Sequence, residues 1–155
     1  MRNQKEHDEQ CALMQWAKVS ERKHPELRLL YAIPNGGSRH ITTAVKLKRE
    51  GVKSGVPDLC LPVARGKYHG AYIEMKVLPN KPSKQQAVWI DDLRAEGYLS
   101  IVAYDWDTAR IALEAYLGLR SEREIDNVSV RGKYEHVPTS SEDFAIRKDE
   151  ELTLE

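Results

Sequence analysis

Asp58 directly follows Pro57, and Glu74 and Lys76 stand one residue apart in the stretch AYIEMKV. In an extended segment side chains alternate between faces. Tyr72, Glu74 and Lys76 therefore share one face, and Ala71, Ile73, Met75 and Val77 the other. The stretch DLCLPV alternates likewise, with Leu59, Leu61 and Val63 on one side and Asp58 and Cys60 on the other. RGKYHG joins the two as a loop, so they read as a hairpin in which Asp58 reaches the same end as Glu74. Two carboxylates held close repel each other, and ionising both is costly unless a cation lies between them. Oxygen ligands with an incomplete shell suit Mg²⁺ or Mn²⁺, which keep waters and accept phosphate oxygens. Such a metal polarises phosphorus and acidifies a bound water. Lys76 beside it could position the hydroxide or stabilise the transition state. The set therefore describes metal-dependent phosphodiester hydrolysis. The plainer alternative makes Asp58 a turn residue and Glu74 and Lys76 exposed strand residues, since P-D…E-x-K is common by chance. Against it, each acid falls in an otherwise apolar segment, where an unpaired charge is expensive.

Other residues carry two readings. Ser83-x-x-Gln86 is a capping box, and Gln86 could also point from its helix start toward the acids, orienting a water or phosphate. Trp89, Ile90 and Leu93 follow at helical spacing and read as core. In NGGSRH, Asn35-Gly36 is a hairpin signal, but the next segment looks helical. Gly36, Gly37 and Ser38 leading into a helix start make an anion site of backbone N–H groups, with Arg39 adding a charged contact. Lys46, Lys48, Arg49 and Lys53 could extend a patch that tracks a phosphate backbone. Glu6, in the first helix, reads by itself as a residue serving the helix dipole. His7, His40 and His69 have no ligand spacing.

The elements that must position these residues follow from periodicity. Residues 5–19 read as an amphipathic helix with Gln10, Leu13, Met14 and Ala17 at helical spacing, broken at His24-Pro25. Residues 28–33 are a short strand, PNGGS a turn, and 39–50 a helix capped by Ser38 and stopped by Gly51. After the hairpin, Ser83 caps a helix through Glu96 that Gly97 ends. YLSIVAY is a strand apolar enough to be central, and Asp107 caps a last helix closed by Gly118. The order mixes strands and helices, giving an α/β domain around a mixed four-stranded sheet flanked by helices.

Composition sets the frame. A chain of 155 residues is expected to form one main domain with a sizeable core. Its two cysteines, Cys11 and Cys60, lack metal or disulfide spacing, which points to a reducing, cytoplasmic setting. No signal peptide or membrane span is expected, and no organic cofactor. The net charge of zero hides an asymmetry. Residues 1–120 carry 19 basic and 14 acidic side chains, residues 121–155 carry 5 and 10. Residues 28–84 hold 11 basic and 3 acidic, two of the three being Asp58 and Glu74. A basic surface around two acids suits a polyanion plus a cation, although charge alone equally fits a solvated surface. From residue 121 on, the sequence reads as a poorly ordered or loosely attached acidic tail.

The stretches EHDEQ, IPNGGSRH, LKREGVKSGVPDLCLP, YHGAYIEMK, SKQQAVW and EGY, in that order, resemble the VRR-NUC nuclease family within the PD-(D/E)xK superfamily. The likeness is to its small stand-alone phage and bacterial members. It implies a restriction-endonuclease-like core over residues 1–120, outside which the tail 121–155 falls. It implies that Asp58 and Glu74 bind Mg²⁺ or Mn²⁺ with the backbone carbonyl of Met75, that Lys76 is the catalytic lysine, that Gln86 is the helix glutamine of the site, and that Glu6 joins it. It also implies a homodimer cutting branched DNA such as a four-way junction, as in DNA repair. An exonuclease or nickase of ordinary duplex, or a non-catalytic DNA-binding module, are the alternatives.

Overall fold

The computed structural model describes residues 2–34 and 46–120. The proposed phosphate turn Asn35–Arg39, the start of the helix after it and the acidic tail lie outside the described residues.

The first helix, α1 (Arg2–Ser20), buries Leu13 and Ala17 completely or nearly so. A short 3-10 helix, Pro25–Leu29, follows. Strands are β1 (Tyr31–Ala32), β2 (Leu59–Leu61) and β3 (Ala71–Met75). Then come α2 (Lys84–Ala95), β4 (Leu99–Ala103) and α3 (Trp106–Leu117). The sheet order is β1-β2-β3-β4, with β1–β2 and β2–β3 antiparallel and β3–β4 parallel. The expected hairpin is β2–β3, in register Leu59 to Ile73 and Leu61 to Ala71. The parallel pair needs a crossover, and α2 supplies it.

Both faces of the sheet are covered. Leu59, Leu61, Ala71, Ile73, Met75 and Ala103 form one core with Leu13 and Ala17 of α1 and Ala109, Leu113 and Tyr116 of α3. Glu74, Tyr72, Cys60 and Ser100 belong to the other face, on which Gln86 of α2 meets Glu74. β3 lies between β2 and β4, and all of its residues but Tyr72 are buried.

Several expectations need correction. Only Tyr31–Ala32 of the stretch 28–33 is strand. Pro25 at the first position favours a helical start, and Leu27 and Leu30, three apart, both turn inward with 3-10 hydrogen bonds (Leu27 N to His24 O and Leu30 N to Leu27 O, each 3.0 Å). β4 is an edge strand of this sheet rather than a central one. Its apolar character comes from packing against α2 and α3, and Arg94 Nε covers the carbonyl of Ser100 at 3.0 Å. The cap of α3 is Asp105, not Asp107: its Oδ1 accepts from Thr108 N at 2.7 Å, the third position in, where a cap must reach. Asp107 sits in the first turn and pairs with Arg110. Trp89 is half-buried and has Lys53 against its ring, so it is not core, whereas Ile90 and Leu93 are.

The stops are where the sequence put them. Gly51, at φ +94°, ends the helical stretch 46–49. Val52 N bonds Leu47 O at 2.9 Å and Gly51 N bonds Lys48 O at 3.2 Å, the double bond of a Schellman ending.

Candidate active site

Asp58, Glu74, Lys76 and Gln86 converge where β2 begins and β3 ends, and Glu6 approaches from α1. Asp58 precedes β2, and its main-chain oxygen accepts from Ile33 N at 2.7 Å. That bond fixes its backbone, and the half-buried side chain reaches across to β3, where Oδ2 accepts from Met75 N at 2.9 Å. Glu74, next to Met75, has no exposure at all. Its Oε1 accepts from Lys76 Nζ at 2.5 Å and also from Gln86 Nε2. Its Oε2 is buried with no hydrogen-bond partner.

Lys76 lies just past the strand end, held by its N–H to Ala103 O at 2.8 Å. Its buried ammonium also donates to the Met75 carbonyl at 2.9 Å and stands 3.8 Å from Glu6 Oε2. Glu6 Oε1 accepts from Asn80 Nδ2 at 2.9 Å. One turn along α1, Glu9 Oε2 accepts from Trp106 N at 2.8 Å, fastening α1 to the start of α3 and so fixing where Glu6 points. Gln86 has both roles that its position allows. Its Oε1 accepts from Ser83 N at 2.8 Å, completing the capping box, while its Nε2 holds Glu74.

Burial pushes the Glu74 carboxyl up to about 7; the Lys76 hydrogen bond opposes this, and the negative charges of Asp58 and Glu6 add to it. Burial likewise raises Asp58, against the lowering effects of the Met75 N–H and of Lys76. The acids are thus short of positive charge. Desolvation and mutual repulsion resist their ionisation, and one lysine only partly offsets it.

A divalent cation fits this deficit. The orphaned Glu74 Oε2 is a free oxygen ligand in a buried site, and such atoms need a partner. The ammonium of Lys76 already bridges Glu74 Oε1 and the Met75 carbonyl, so a cation is preferred where those oxygens meet. Among the described residues no three His, Cys, Asp or Glu side chains form a ready metal cage. Two carboxylates and a main-chain carbonyl leave a shell open to water and substrate, as Mg²⁺ tolerates.

Asn80, which holds Glu6 in the candidate site, was missed by the sequence reading. It falls in LPNKP, which reads as a mere connection, and its N–H closes a turn onto Val77 O at 2.9 Å. The available signal was a turn-forming polar residue four positions after the lysine of a candidate site. Of the expected phosphate contacts, Lys53 is described and lies with Nζ 5.8 Å from the Trp89 ring centroid. Asn35, Gly36, Gly37, Ser38 and Arg39 are outside the described residues.

With this geometry in hand, likeness to known proteins becomes informative. The family model of the VRR-NUC domain matches residues 1–106. A solved structure of a VRR_NUC domain protein shares 32% sequence identity, with a TM-score of 0.64, over 76% of this chain and 91% of that one. No curated protein matches the chain.

Proposed function

Because the chain belongs to the VRR-NUC family, with a restriction-endonuclease-like fold and a nuclease-type, DNA-processing domain, we propose that it is a Mg²⁺- or Mn²⁺-dependent DNA endonuclease that cuts branched DNA as a homodimer. The hydrolytic part rests on one observation above all: Glu74 is fully buried, has an unpartnered oxygen, and sits against Lys76 and beside Asp58. A pure DNA binder has no use for two crowded acids within a basic stretch.

Asp58, Glu74 and the Met75 carbonyl would hold the metal, which when bound supplies Lewis acidity and an acidified water. Gln86 fixes the rotamer of Glu74 from the start of α2. Lys76 brings its amino group, hydrogen-bonded to Glu74, to a water-poor site, where it stabilises negative charge developing on the phosphoryl oxygens. Glu6, oriented by Asn80, keeps that ammonium from swinging away. The branched substrate and the dimer follow the resemblance to stand-alone members, and a dimer would supply two sites for paired cuts. A cytoplasmic setting agrees with the free thiols of Cys11 and Cys60. No helix among the described residues is long and apolar enough to cross a membrane.

The test is cleavage of labelled four-way junction, flap and linear duplex with Mg²⁺ or Mn²⁺, beside Lys76→Ala. Metal-dependent junction cutting that drops roughly 10²–10³-fold in the variant is the expected result. Cutting of linear duplex alone would replace the junction reading with the exonuclease or nickase one. Binding without cutting on every substrate would sink the enzyme reading. Sedimentation of the intact chain decides the dimer.

A further inference from the structure

On the outer side of α2, next to the site, lies a cleft of about 290 Å³ lined by Ser54, Lys84, Gln85, Val88 and Trp89. Hydrolysis at Glu74 does not require it. Val88 is 59% exposed, an apolar side chain beside a half-buried indole. Trp89 is three residues beyond Gln86, so the two are neighbours along the helix, and Gln86 touches Glu74. Lys53 Nζ stands over the Trp89 ring at 5.8 Å, and Lys84 lines the same cleft.

The far wall is fixed in place. Gly55 has φ +87°, and a Cβ there would come within 2.9 Å of the backbone carbonyl carbon of Gln85. The segment around Ser54 is thus seated directly on the first turn of α2, at a distance that only glycine permits. An open groove with an aromatic and an aliphatic side chain along its α2 side takes a flat apolar group. Two lysines at its rim add the requirement that the group carry negative charge. An unpaired nucleotide meets both demands, its base against the ring and its phosphates at the ammonium groups. A paired base fails the first demand, since its faces are already stacked.

We propose that this cleft seats an unpaired nucleobase of the DNA substrate, stacked against Trp89 and Val88, with its flanking phosphates on Lys53 and Lys84. The inference rests on the nuclease reading, and it names the substrate feature that the site would select: a strand with at least one unstacked base beside the scissile bond.

The probe is a short single-stranded oligo(dT), titrated into the intact chain with a chelator present and followed by intrinsic tryptophan fluorescence. Stacking should quench the emission. Trp89→Phe should lose most of the quench while keeping most of the affinity, because a ring remains. Trp89→Ala and Val88→Asp should each weaken binding roughly tenfold or more. Val88 is exposed, so its variant folds even where the tryptophan variant does not. Unchanged affinity in Val88→Asp, or an equal quench in Trp89→Phe, overturns the proposal. Cleavage with Mg²⁺ is measured in parallel. Cutting with unchanged oligomer binding in the variants rejects the base slot and leaves the nuclease. Trp89-dependent binding without any cutting rejects the nuclease and leaves the slot.

Discussion

At the scale of single residues, the burial of Glu74 ties stability to pH. Its carboxyl goes from an ordinary value of 4.5 to about 7 on folding. An acid raised in this way binds its proton more tightly in the folded state. Its contribution to stability is complete below pH 4.5 and is lost as pH rises toward 7. Asp58, also raised, acts in the same direction. Thermal melts in chelator should therefore show stability falling between these pH values, by at most about 1.4 kcal/mol per pH unit from one proton. Glu74→Gln should flatten the slope. Mg²⁺ or Mn²⁺ should reverse it, since a cation favours the ionised acids. A melt that is independent of pH in the wild type would contradict a carboxyl raised by burial beyond what Lys76 offsets.

At the scale of elements, the start of α2 joins stability to chemistry, and the two can be separated. Ser83 caps the helix through its Oγ, which accepts from Gln86 N at 3.2 Å, but Gln86 Oε1 is held by the main-chain N–H of Ser83. Ser83→Ala should cost about 1 kcal/mol in denaturant unfolding and leave cleavage nearly unchanged. Gln86→Ala should lower cleavage more than it lowers stability, because Glu74 loses its fastening. These elements were largely legible beforehand. The alternation in DLCLPV and AYIEMKV identified the hairpin, and Gly51, Ser83 and Gly97 marked the ends. What misled were features decided by tertiary placement. The apolar run of β4 cannot distinguish a central strand from an edge strand wedged between two helices. Asp105 and Asp107 are equally good caps until the helix start is known. The spacing of Trp89, Ile90 and Leu93 gives a face but not how far round the helix the burial extends, so Trp89 passed for core. Within the site, Glu74, Lys76 and Gln86 met as their spacing implied, and Asp58 closed from the far side of the hairpin. Asn80 stayed hidden because its partner, Glu6, is 74 positions away.

For the molecule as a whole, the site depends on a core that spans α1, the sheet and α3. Leu113 is almost fully buried in it, beside Leu13 and Tyr116. Leu113→Ala should cost about 2–5 kcal/mol in denaturant unfolding, while the folded fraction keeps its cleavage rate per molecule. Loss of rate without loss of stability would mean that α3 acts on the site more directly than its packing indicates.

The bond from Met75 N to Asp58 Oδ2 has a bearing on how such variants are judged. A side chain here completes the backbone pairing of the central strand. Replacing Asp58 by alanine would strip a proposed metal ligand and also leave a main-chain donor inside the protein with nothing to accept it. A dead Asp58→Ala enzyme would therefore say little about metal binding. Asp58→Asn keeps an acceptor oxygen and removes only the charge. The exchange rate of the Met75 amide proton, read by NMR, should rise sharply in the alanine variant and little in the asparagine one. That single proton tells whether a lost activity belongs to the reaction or to the strand that carries it.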